Sequence, residues 1–341
     1  MSKHSFKYDN INLGHGSGGI MTRELLDELI FTAFSNPYLD KKHDGSIIDF
    51  NGRIAVSTDS FVVSPVFFKG GNIGDLSIHG TVNDVAMCGG IPRFLSLSFI
   101  VEEGLPIDEF QDIIHSIKSA AAKSGVEIIT GDTKVVERGK GDKIFINTTG
   151  FGPVHPKADI SADKIQAGDS IIVSGNIAQH GMAIMSEREG LQFESDILSD
   201  TTNVNYLVKQ ILDDFGQSIR IMRDPTRGGL ASVLCEIADD TALGVELYES
   251  SLPIEKQVAA ACEILGLDPL FVAGEGIFIT IADAADSEQI LKLMQSHEKG
   301  KFARRIGKIT ETHPKKVVMH STIGGKRIVT PLIGEQLPRI C

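Results

Sequence analysis

The spacing of apolar residues along the first half of the chain predicts alternating helices and strands. Between Ile20 and Phe34, apolar residues recur at helical spacing and form one stripe. Between Arg93 and Glu102, apolar residues alternate with polar ones, which is typical of a strand. The same reasoning predicts strands over residues 53–66, 126–130 and 143–154, and helices over residues 76–87 and 106–124.

The second half of the chain continues this mixture after a proline-containing junction at residues 153–157. Strands outnumber what a regular βαβ alternation would give, so we predict an α+β protein with mixed sheets and helices packed on one face. Strands are predicted at 169–174, 244–247, 276–281, 302–309 and 315–320, and helices at 181–188, 204–215, 255–265, 287–297 and from 230 onward. We divide the chain into a glycine-rich leader with the first helix (1–40), an N-terminal ATP-binding and dimerisation domain (41–155), a C-terminal α/β domain (156–329) and a mobile tail (330–341).

Composition and charge narrow the range of partners. The chain has 42% apolar and 23% charged residues, as a globular protein does. A net charge of −12 disfavours nucleic acid and anionic membranes, because both bind clustered Lys and Arg. An acidic protein can still bind ATP where its carboxylates hold divalent cations. We find no apolar signal segment at the N-terminus, and the four cysteines show neither zinc-binding nor disulfide spacing. We therefore expect a cytoplasmic protein with no membrane span.

The sequence ends in a cysteine on a segment that predicts neither a helix nor a central strand. Residues 330–341 contain two prolines and a glycine, and Cys341 is the last residue. Exposed thiols oxidise and cross-link, so a thiol on such an arm suggests that the sulfur has a use. An extended arm of this length reaches roughly 40 Å, far enough to visit an internal pocket and then a partner. An unused free thiol is the alternative.

Four turns place carboxylates among glycine, hydroxyl or amide residues beside an apolar strand or helix. Such oxygens suit Mg²⁺, and glycines let backbone amides approach phosphate. We expect Asp84 to face the same site as Asp75, about two helical turns earlier. Each carboxylate has a local alternative as a helix cap or in an Asx-turn, and none of the turns is a P-loop. The turns are Thr58-Asp59-Ser60, Gly74-Asp75-Leu76-Ser77 with Asn83-Asp84, Thr130-Gly131-Asp132-Thr133-Lys134, and Arg223-Asp224-Pro225-Thr226-Arg227-Gly228-Gly229.

These segments and two others together resemble a known family. The glycine-rich loop at residues 14–19 is either a flexible leader or a lid over phosphates. With Ile78-His79-Gly80-Thr81-Val82-Asn83-Asp84, Asp224-Pro225-Thr226-Arg227-Gly228-Gly229 and the final Pro338-Arg339-Ile340-Cys341, it resembles the HypE family of carbamoyl dehydratases in [NiFe]-hydrogenase maturation. The resemblance runs from near residue 10 to the last residue. The terminal tetrapeptide is specific to that family, whereas the acidic loops are shared with the aminoimidazole ribonucleotide synthetase superfamily.

The resemblance implies a fold, partners and an activity. It implies a two-domain fold like aminoimidazole ribonucleotide synthetase and a homodimer joined through the N-terminal domains, with ATP near that interface. It implies two partners: HypF, which carbamoylates the last cysteine, and the HypC–HypD complex, which accepts the cyanide. The implied reaction is ATP-dependent dehydration of an S-carbamoyl group on Cys341 to a thiocyanate.

On this basis we assign expected roles to individual residues. Lys134 and Glu275 are the proton-handling pair that the resemblance suggests; Lys134 is otherwise a solvated lysine paired with Asp132, and Glu275 a turn carboxylate. We assign Mg²⁺ to Asp59, Asp75, Asp84, Asp132 and Asp224, with Asn83 as a neutral donor, and ATP to Gly16, Gly18, Gly19, Asn83, Thr133 and Arg227.

The chemistry explains why ATP is needed. Oxide is a poor leaving group, and phosphorylation of the carbamoyl oxygen turns it into phosphate, a good one. Two rival functions remain open. One is an ATP-dependent synthetase or kinase that acts on a free small molecule, and the other is a non-catalytic scaffold that uses the tail as a docking peptide.

Overall fold

Two regions, each built around its own β-sheet, make up the fold. The computed structural model describes residues 6–42, 45–190, 197–331, 337 and 339–341. The N-terminal region contains strands β1 (Ile54–Phe61), β2 (Phe67–Phe68), β3 (Gly71–Asn72), β4 (Phe94–Glu102), β5 (Glu127–Val136) and β6 (Ile144–Pro153), and helices α1 (Ile20–Leu25), α2 (Thr32–Phe34), α3 (Ile73–Met87) and α4 (Ile107–Ser124). A π-helical stretch, Leu26–Phe31, joins α1 to α2, so the predicted first helix is continuous.

The N-terminal sheet is mixed, and helices cover one of its faces. Its strand order is β1-β6-β4-β5, in which only β4 and β5 run parallel. Alternate residues of β6 such as Ile144 and Ile146 are buried towards α3 and α4. The apolar stripe of helix α4, which includes Phe110, Ile113 and Ile117, packs into the same core. This periodic burial is what fixes the register of the sheet.

The opposite face of this sheet is open in the single chain. Val56 on β1 is 61% exposed, and Ile54 and Ile100 are each more than 40% exposed. Ser98 on β4 lies in register with Asn147 on β6 and Asp132 on β5, so polar side chains share this face. An open sheet face with exposed aliphatic residues is a surface suited to contact another molecule.

The C-terminal region is a larger mixed sheet with helices on both faces. Its order is β13-β12-β9-β11-β7-β10-β8, with one parallel pair, β12 and β9. In β7, Ile171 and Val173 join one core cluster and Ile172 joins another on the opposite face. The elements are β7 (Ser170–Val173), β8 (Ile219–Arg223), β9 (Gly244–Tyr248), β10 (Ile279–Ala282), β11 (Arg304–Thr310), β12 (Val317–His320), β13 (Lys326–Val329), α5 (Gln179–Arg188), α6 (Asn205–Phe215), α7 (Gly229–Thr241), α8 (Lys256–Leu265) and α9 (Ser287–Ser296).

The α+β class and the mixed sheets predicted from the sequence are confirmed, with one correction. Helices lie on one face of the N-terminal sheet, as predicted, but on both faces of the C-terminal sheet. The sequence pattern also missed strands β8 and β13. None of the helices in the described ranges is long and apolar enough to cross a bilayer.

The end of the chain is packed against both regions. Ile340 is buried in the N-terminal core, and Leu337 contacts both core clusters beside it. The predicted mobile tail also includes residues 332–336 and 338, which lie outside the described residues. The mobility of the tail therefore stays a prediction, and what the structure places is Thr330, Pro331, Leu337 and the last three residues.

Candidate active site

The last residue of the chain lines a cavity of about 520 Å³ between the two regions. Asp59 on β1 contributes from the N-terminal sheet, and Arg227 contributes from the loop that follows β8. Ile340 and Cys341 complete the same wall. The cavity thus brings three sequence-predicted site residues together: a carboxylate, a guanidinium and the terminal thiol.

Backbone hydrogen bonds hold the end of the chain beside β1. The Val62 N–H donates to a main-chain oxygen of Cys341 at 3.1 Å, and the Ser64 N–H donates to the Arg339 carbonyl oxygen at 3.3 Å. The Arg339 guanidinium donates in turn to the Val62 carbonyl oxygen. The last residues therefore pair with the segment that follows β1 much as an added strand would.

Glu275 is a buried carboxyl group without a hydrogen-bond partner on one oxygen. Its side chain is 2% exposed, and its Oε1 atom is unpaired within the described part of the chain. Burial, followed by the charges of Asp224 and Asp200, raises the pKa of Glu275 well above its ordinary value. An isolated buried carboxylate is costly, so in this state Glu275 is a neutral acid.

Asp224 and Asp84 form a close pair of carboxyl groups in the same site, and their charges also act on Glu275. The Ser57 hydroxyl donates to Asp84 Oδ2 at 2.8 Å. Burial, and then the charge and hydrogen bond of Asp84, raise the pKa of Asp224 to about 7. Two carboxylates this close repel each other, so Asp224 favours its protonated form, and a cation would relieve the same repulsion.

A tight glycine turn sets the loop that carries Asp224 and Arg227. Gly228 and Gly229 both have positive φ angles, 73° and 61°. A Cβ atom at Gly229 would also lie 2.6 Å from the Leu270 carbonyl oxygen. Both the backbone conformation and the space favour glycine, and α7 begins directly at Gly229.

The environment of Cys341 suppresses its reactivity where it lies. Burial, and then the charges of Glu275 and Asp59, raise the pKa of the Cys341 thiol to about 12, against the opposing effect of Arg227. Burial also raises the pKa of Asp59, despite its hydrogen bond from the Ser60 N–H. A thiol in these surroundings is protonated at neutral pH and is a poor nucleophile.

Four of the six residues predicted to bind ATP line a separate cavity of about 750 Å³ in the N-terminal region, whereas Asn83 and Arg227 do not. The Lys134 Nζ atom lies 3.0 Å from an Asp132 carboxylate oxygen, and both side chains are mostly exposed. Apolar side chains such as Phe31 and Ile128 line the other part of this cavity. The single chain therefore does not bring Lys134 and Glu275 together. The predicted residues that line it are Gly16, Gly18, Gly19, Asp132, Thr133 and Lys134.

Two predicted metal ligands on α3 have local partners instead. Asp75 Oδ1 accepts from the Asn72 N–H at 2.7 Å and closes a capping box at the start of the helix. The Asn83 amide is fully engaged: Oδ1 accepts from the Val204 N–H, and Nδ2 donates to the carbonyl oxygens of Thr202 and Glu275. Asp75 also lies about 13 Å along the helix from Asp84, so the expected shared site is not formed within one chain.

The donor set fits a magnesium–nucleotide complex better than a pre-formed metal cage. Within the described ranges, no three His, Cys, Asp or Glu side chains converge closely enough to hold an ion by themselves. Mg²⁺ normally takes only one or two carboxylates and completes its shell with phosphate and water. The close pair Asp84 and Asp224 could supply two such ligands.

Comparisons with known proteins identify the family. Models for the N-terminal and C-terminal domains of AIR synthase related proteins match residues 42–154 and 166–320. The carbamoyl dehydratase HypE of Cupriavidus necator is 47% identical over 99% of this chain and 96% of the relative. The HypE of Escherichia coli K12 is 41% identical over 98% of this chain and all of the relative. This chain belongs to the HypE family of carbamoyl dehydratases.

Solved HypE structures agree with this fold over nearly the whole chain. A HypE in complex with ATP has a TM-score of 0.93 at 43% identity and covers 96% of this chain and 99% of that chain. A HypE–HypF complex has a TM-score of 0.80 at 42% identity, covering 90% of this chain and 99% of that chain. Thiamine monophosphate kinase from Aquifex aeolicus, at 18% identity and a TM-score of 0.57, shares the fold alone. The predicted family, fold and enzyme class are confirmed.

Sequence reasoning about this HypE-family chain missed Asp200. Its carboxylate accepts the backbone N–H groups of Glu275 and Gly276 at 3.2 Å. Burial raises the pKa of Asp200 to about 6. A Cβ atom at Gly276 would lie 1.8 Å from the Asp200 carbonyl oxygen, so glycine is needed for this approach. The acidic turn at Ser199-Asp200-Thr201 was a usable signal, of the same style as the four turns that were selected.

Proposed function

We propose that this chain dehydrates an S-carbamoyl group on Cys341 to a thiocyanate at the expense of ATP. The observation that carries the proposal is the position of Cys341 in one cavity with Asp59 and Arg227, near enough to the buried Glu275 for its ionised form to act on the thiol. A small-molecule synthetase or kinase has no need to seat its own last residue there.

The reaction balances as two steps on the sulfur-bound group. The carbamoyl oxygen attacks the γ-phosphorus of ATP, and ADP leaves. The C–O bond of the resulting phosphate ester then breaks while the nitrogen loses its two protons, which gives S–C≡N, phosphate and two protons transferred to bases or water. The Arg227 guanidinium lies where it can stabilise the transferred phosphoryl group.

Glu275 is suited to accept a proton from the carbamoyl nitrogen once its surroundings change. Its raised pKa is caused partly by the negative charges of Asp224, Asp59 and Asp84. A Mg²⁺ ion held by Asp84 and Asp224 would supply positive charge to the phosphates there. With those carboxylates neutralised, Glu275 ionises more readily and becomes a base inside a low-dielectric site.

The partners proposed for this chain follow from its family. A HypF protein that carbamoylates the cysteine is supported by the solved HypE–HypF complex of a relative. The HypC–HypD complex as the acceptor of the cyanide, and a cytoplasmic location, remain expectations of the resemblance. The inert thiol in the cavity is consistent with a carbamoylation step that takes place away from this position.

We also propose a homodimer joined through the open face of the N-terminal sheet. Both β1 and β5 are edge strands of that sheet, and two such sheets closing into a barrel would cover their edges and the exposed Val56. A second copy is also a direct way to bring Lys134 to the Cys341 cavity, because the two line separate cavities in one chain.

Intact-mass measurement of the C-terminal peptide tests the proposed reaction. Incubation with HypF, carbamoyl phosphate and ATP should add a carbamoyl group to that peptide and then remove one water. Cys341→Ala should abolish both changes while ATP binding stays intact, and Cys88→Ser serves as the matched control. Turnover that survives in the Cys341→Ala variant would instead support a free small-molecule substrate.

A further inference from the structure

His180 contacts the last peptide group of the chain from a fully buried position. Its Nε2 atom lies 2.8 Å from the Ile340 carbonyl oxygen. A carbonyl oxygen only accepts, so Nε2 carries the proton. Its Nδ1 atom lies 2.7 Å from Ser199 Oγ and must therefore accept from that hydroxyl. Burial lowers the pKa of His180 to about 4, which keeps the ring in this neutral form.

The hydrogen bonds around His180 all run in one direction. The Thr201 N–H donates to Ser199 Oγ at 3.1 Å, Ser199 donates to His180, and His180 donates to Ile340. The Phe68 ring meets the imidazole edge-on, with centroids 5.5 Å apart and planes at 90°. The ring is thus oriented before the last residues arrive.

The short segment Ser199-Asp200 forms hydrogen bonds with both His180 and the loop that carries Glu275. Ser199 bonds the His180 ring, and the neighbouring Asp200 bonds the backbone N–H groups of Glu275 and Gly276. The segment therefore fixes both the peptide next to Cys341 and the loop of Glu275, whose charge acts on the cysteine. The other polar contacts of the last residues are backbone hydrogen bonds from the Val62 and Ser64 N–H groups and contacts at Arg339, which is exposed.

We propose that His180 is a positioning residue that holds the Ile340 carbonyl and thereby sets the depth at which Cys341 enters the cavity. Its use in catalysis rests on the proposed function. The holding role itself does not, because it concerns only the docked position of the last residues. If the tail leaves, the His180 N–H loses its partner in a buried site, which favours the docked position.

Site-resolved alkylation of the full-length protein tests the holding role. The docked Cys341 thiol is protonated and part-buried, so N-ethylmaleimide labels it only when it leaves the cavity. His180→Phe keeps a ring but removes the donor, and we expect Cys341 labelling to accelerate about 5- to 30-fold. Labelling of the exposed Cys88, read from the same peptide digest, provides the internal reference. An unchanged ratio of Cys341 to Cys88 labelling in a natively folded variant would overturn the proposal.

Two further variants separate positioning from a general loss of structure. His180→Gln places an amide N–H near the position of Nε2 and should restore part of the protection. Ser199→Ala removes the donor to Nδ1 and should accelerate labelling less than His180→Phe does. If His180→Phe does not fold, the Ser199→Ala variant tests the proposal. Normal protection of Cys341 from labelling in that variant would then overturn it.

Kinetics connect the holding role to the proposed reaction. His180→Phe should lower kcat for dehydration while the KM for ATP and the rate of carbamoylation by HypF stay close to those of wild type. Accelerated labelling without any loss of dehydration would leave the holding role standing and remove its catalytic consequence. The labelling assay uses neither ATP nor a carbamoyl donor, so failure of the proposed function does not affect it.

Discussion

At the scale of single residues, the site is a group of carboxyl groups in an environment that disfavours their charge. The pKa values of Glu275, Asp224 and Asp59 are all raised, with burial as the largest cause in each case. Such a cluster stores electrostatic repulsion that a bound cation relieves. The sequence could name these three residues, because Asp59 and Asp224 lie in segments rich in glycine or hydroxyl residues and the family resemblance suggested Glu275; the predicted turn at Asp59 is part of strand β1. The sequence could not give their protonation, which depends on groups from distant segments.

Glu275→Gln should block the step that removes the nitrogen protons. The amide preserves size and one hydrogen-bonding oxygen but cannot accept a proton as a carboxylate does. We expect kcat for dehydration to fall about 100-fold or more, while carbamoylated protein accumulates. Intact-mass time courses measure both species. Glu263→Gln on the exposed side of α8 is the matched control, and dehydration at the normal rate in Glu275→Gln would exclude the base role.

Asp224→Asn should remove a pH-dependent loss of stability in the nucleotide-free protein. The folded pKa of Asp224 is raised from 3.8 to about 7, so the folded protein binds this proton more tightly than the unfolded chain does. The resulting stabilisation is complete at low pH and is lost as the pH rises to about 7, on the order of a few kcal/mol. The Tm of wild type should therefore decline relative to that of Asp224→Asn over this range.

Magnesium supplies the control for the stability experiment. A cation bound at Asp84 and Asp224 favours the charged carboxylates, so Mg²⁺ with ATP should reduce the decline in wild-type Tm towards neutral pH. The Asp224→Asn variant should show a smaller response to the same additions. Parallel Tm curves for the two proteins, with and without Mg²⁺, would mean that Asp224 is not the group that titrates.

At the scale of helices and strands, the spacing of apolar residues predicts those elements that bury one face. The amphipathic spacing between Ile107 and Ser124 and the alternation in β4 both correspond to one buried face, and both were predicted. Strand β8 was missed because it carries arginines: Arg220 is stabilised there by Asp169 and Asp283 from other parts of the chain. The continuous run of apolar residues in β7 indicates a strand that is buried on both faces. The prediction that helices pack on only one face of each sheet overlooked this signal.

The first turn of α3 offers a test that separates a cap from a metal ligand. Asp75 closes a capping box with Asn72, so Asp75→Ala should lower the free energy of unfolding by about 1 kcal/mol. The affinity for Mg²⁺–ATP should stay unchanged. Chemical denaturation and titration calorimetry measure the two quantities, with the exposed Asp240→Ala as a control. A large loss of Mg²⁺–ATP affinity would restore the predicted metal role of Asp75.

At the scale of the whole molecule, sequence reasoning could name the site residues but not their grouping. Asp59 and Arg227 lie 168 positions apart in the chain, yet they line one cavity with Cys341. Lys134 and Glu275 were predicted as a pair, yet Lys134 lines the cavity of the N-terminal region, whereas Glu275 is buried where its charge acts on Cys341. Grouping depends on how the two sheets face each other and on assembly, and neither is encoded in local periodicity. The family resemblance predicts a homodimer, and the separation of Lys134 from Cys341 in one chain agrees with that prediction.

Val56→Asp should therefore disrupt the proposed dimer and, with it, catalysis. Val56 is 61% exposed on the open face of the N-terminal sheet, and a buried unpaired carboxylate there would oppose association. We expect light scattering after size exclusion to give a monomer mass for the variant and a dimer mass for wild type. Ile264→Asp, at a residue 66% exposed on α8, is the matched control and should remain dimeric. If dimerisation brings Lys134 of one copy to the Cys341 cavity of the other, the Val56→Asp monomer should lose dehydration. The Cys341 thiol of this monomer should still accept a carbamoyl group from HypF. A fully active monomer would contradict this proposal, because Lys134 and Cys341 of one chain line different cavities.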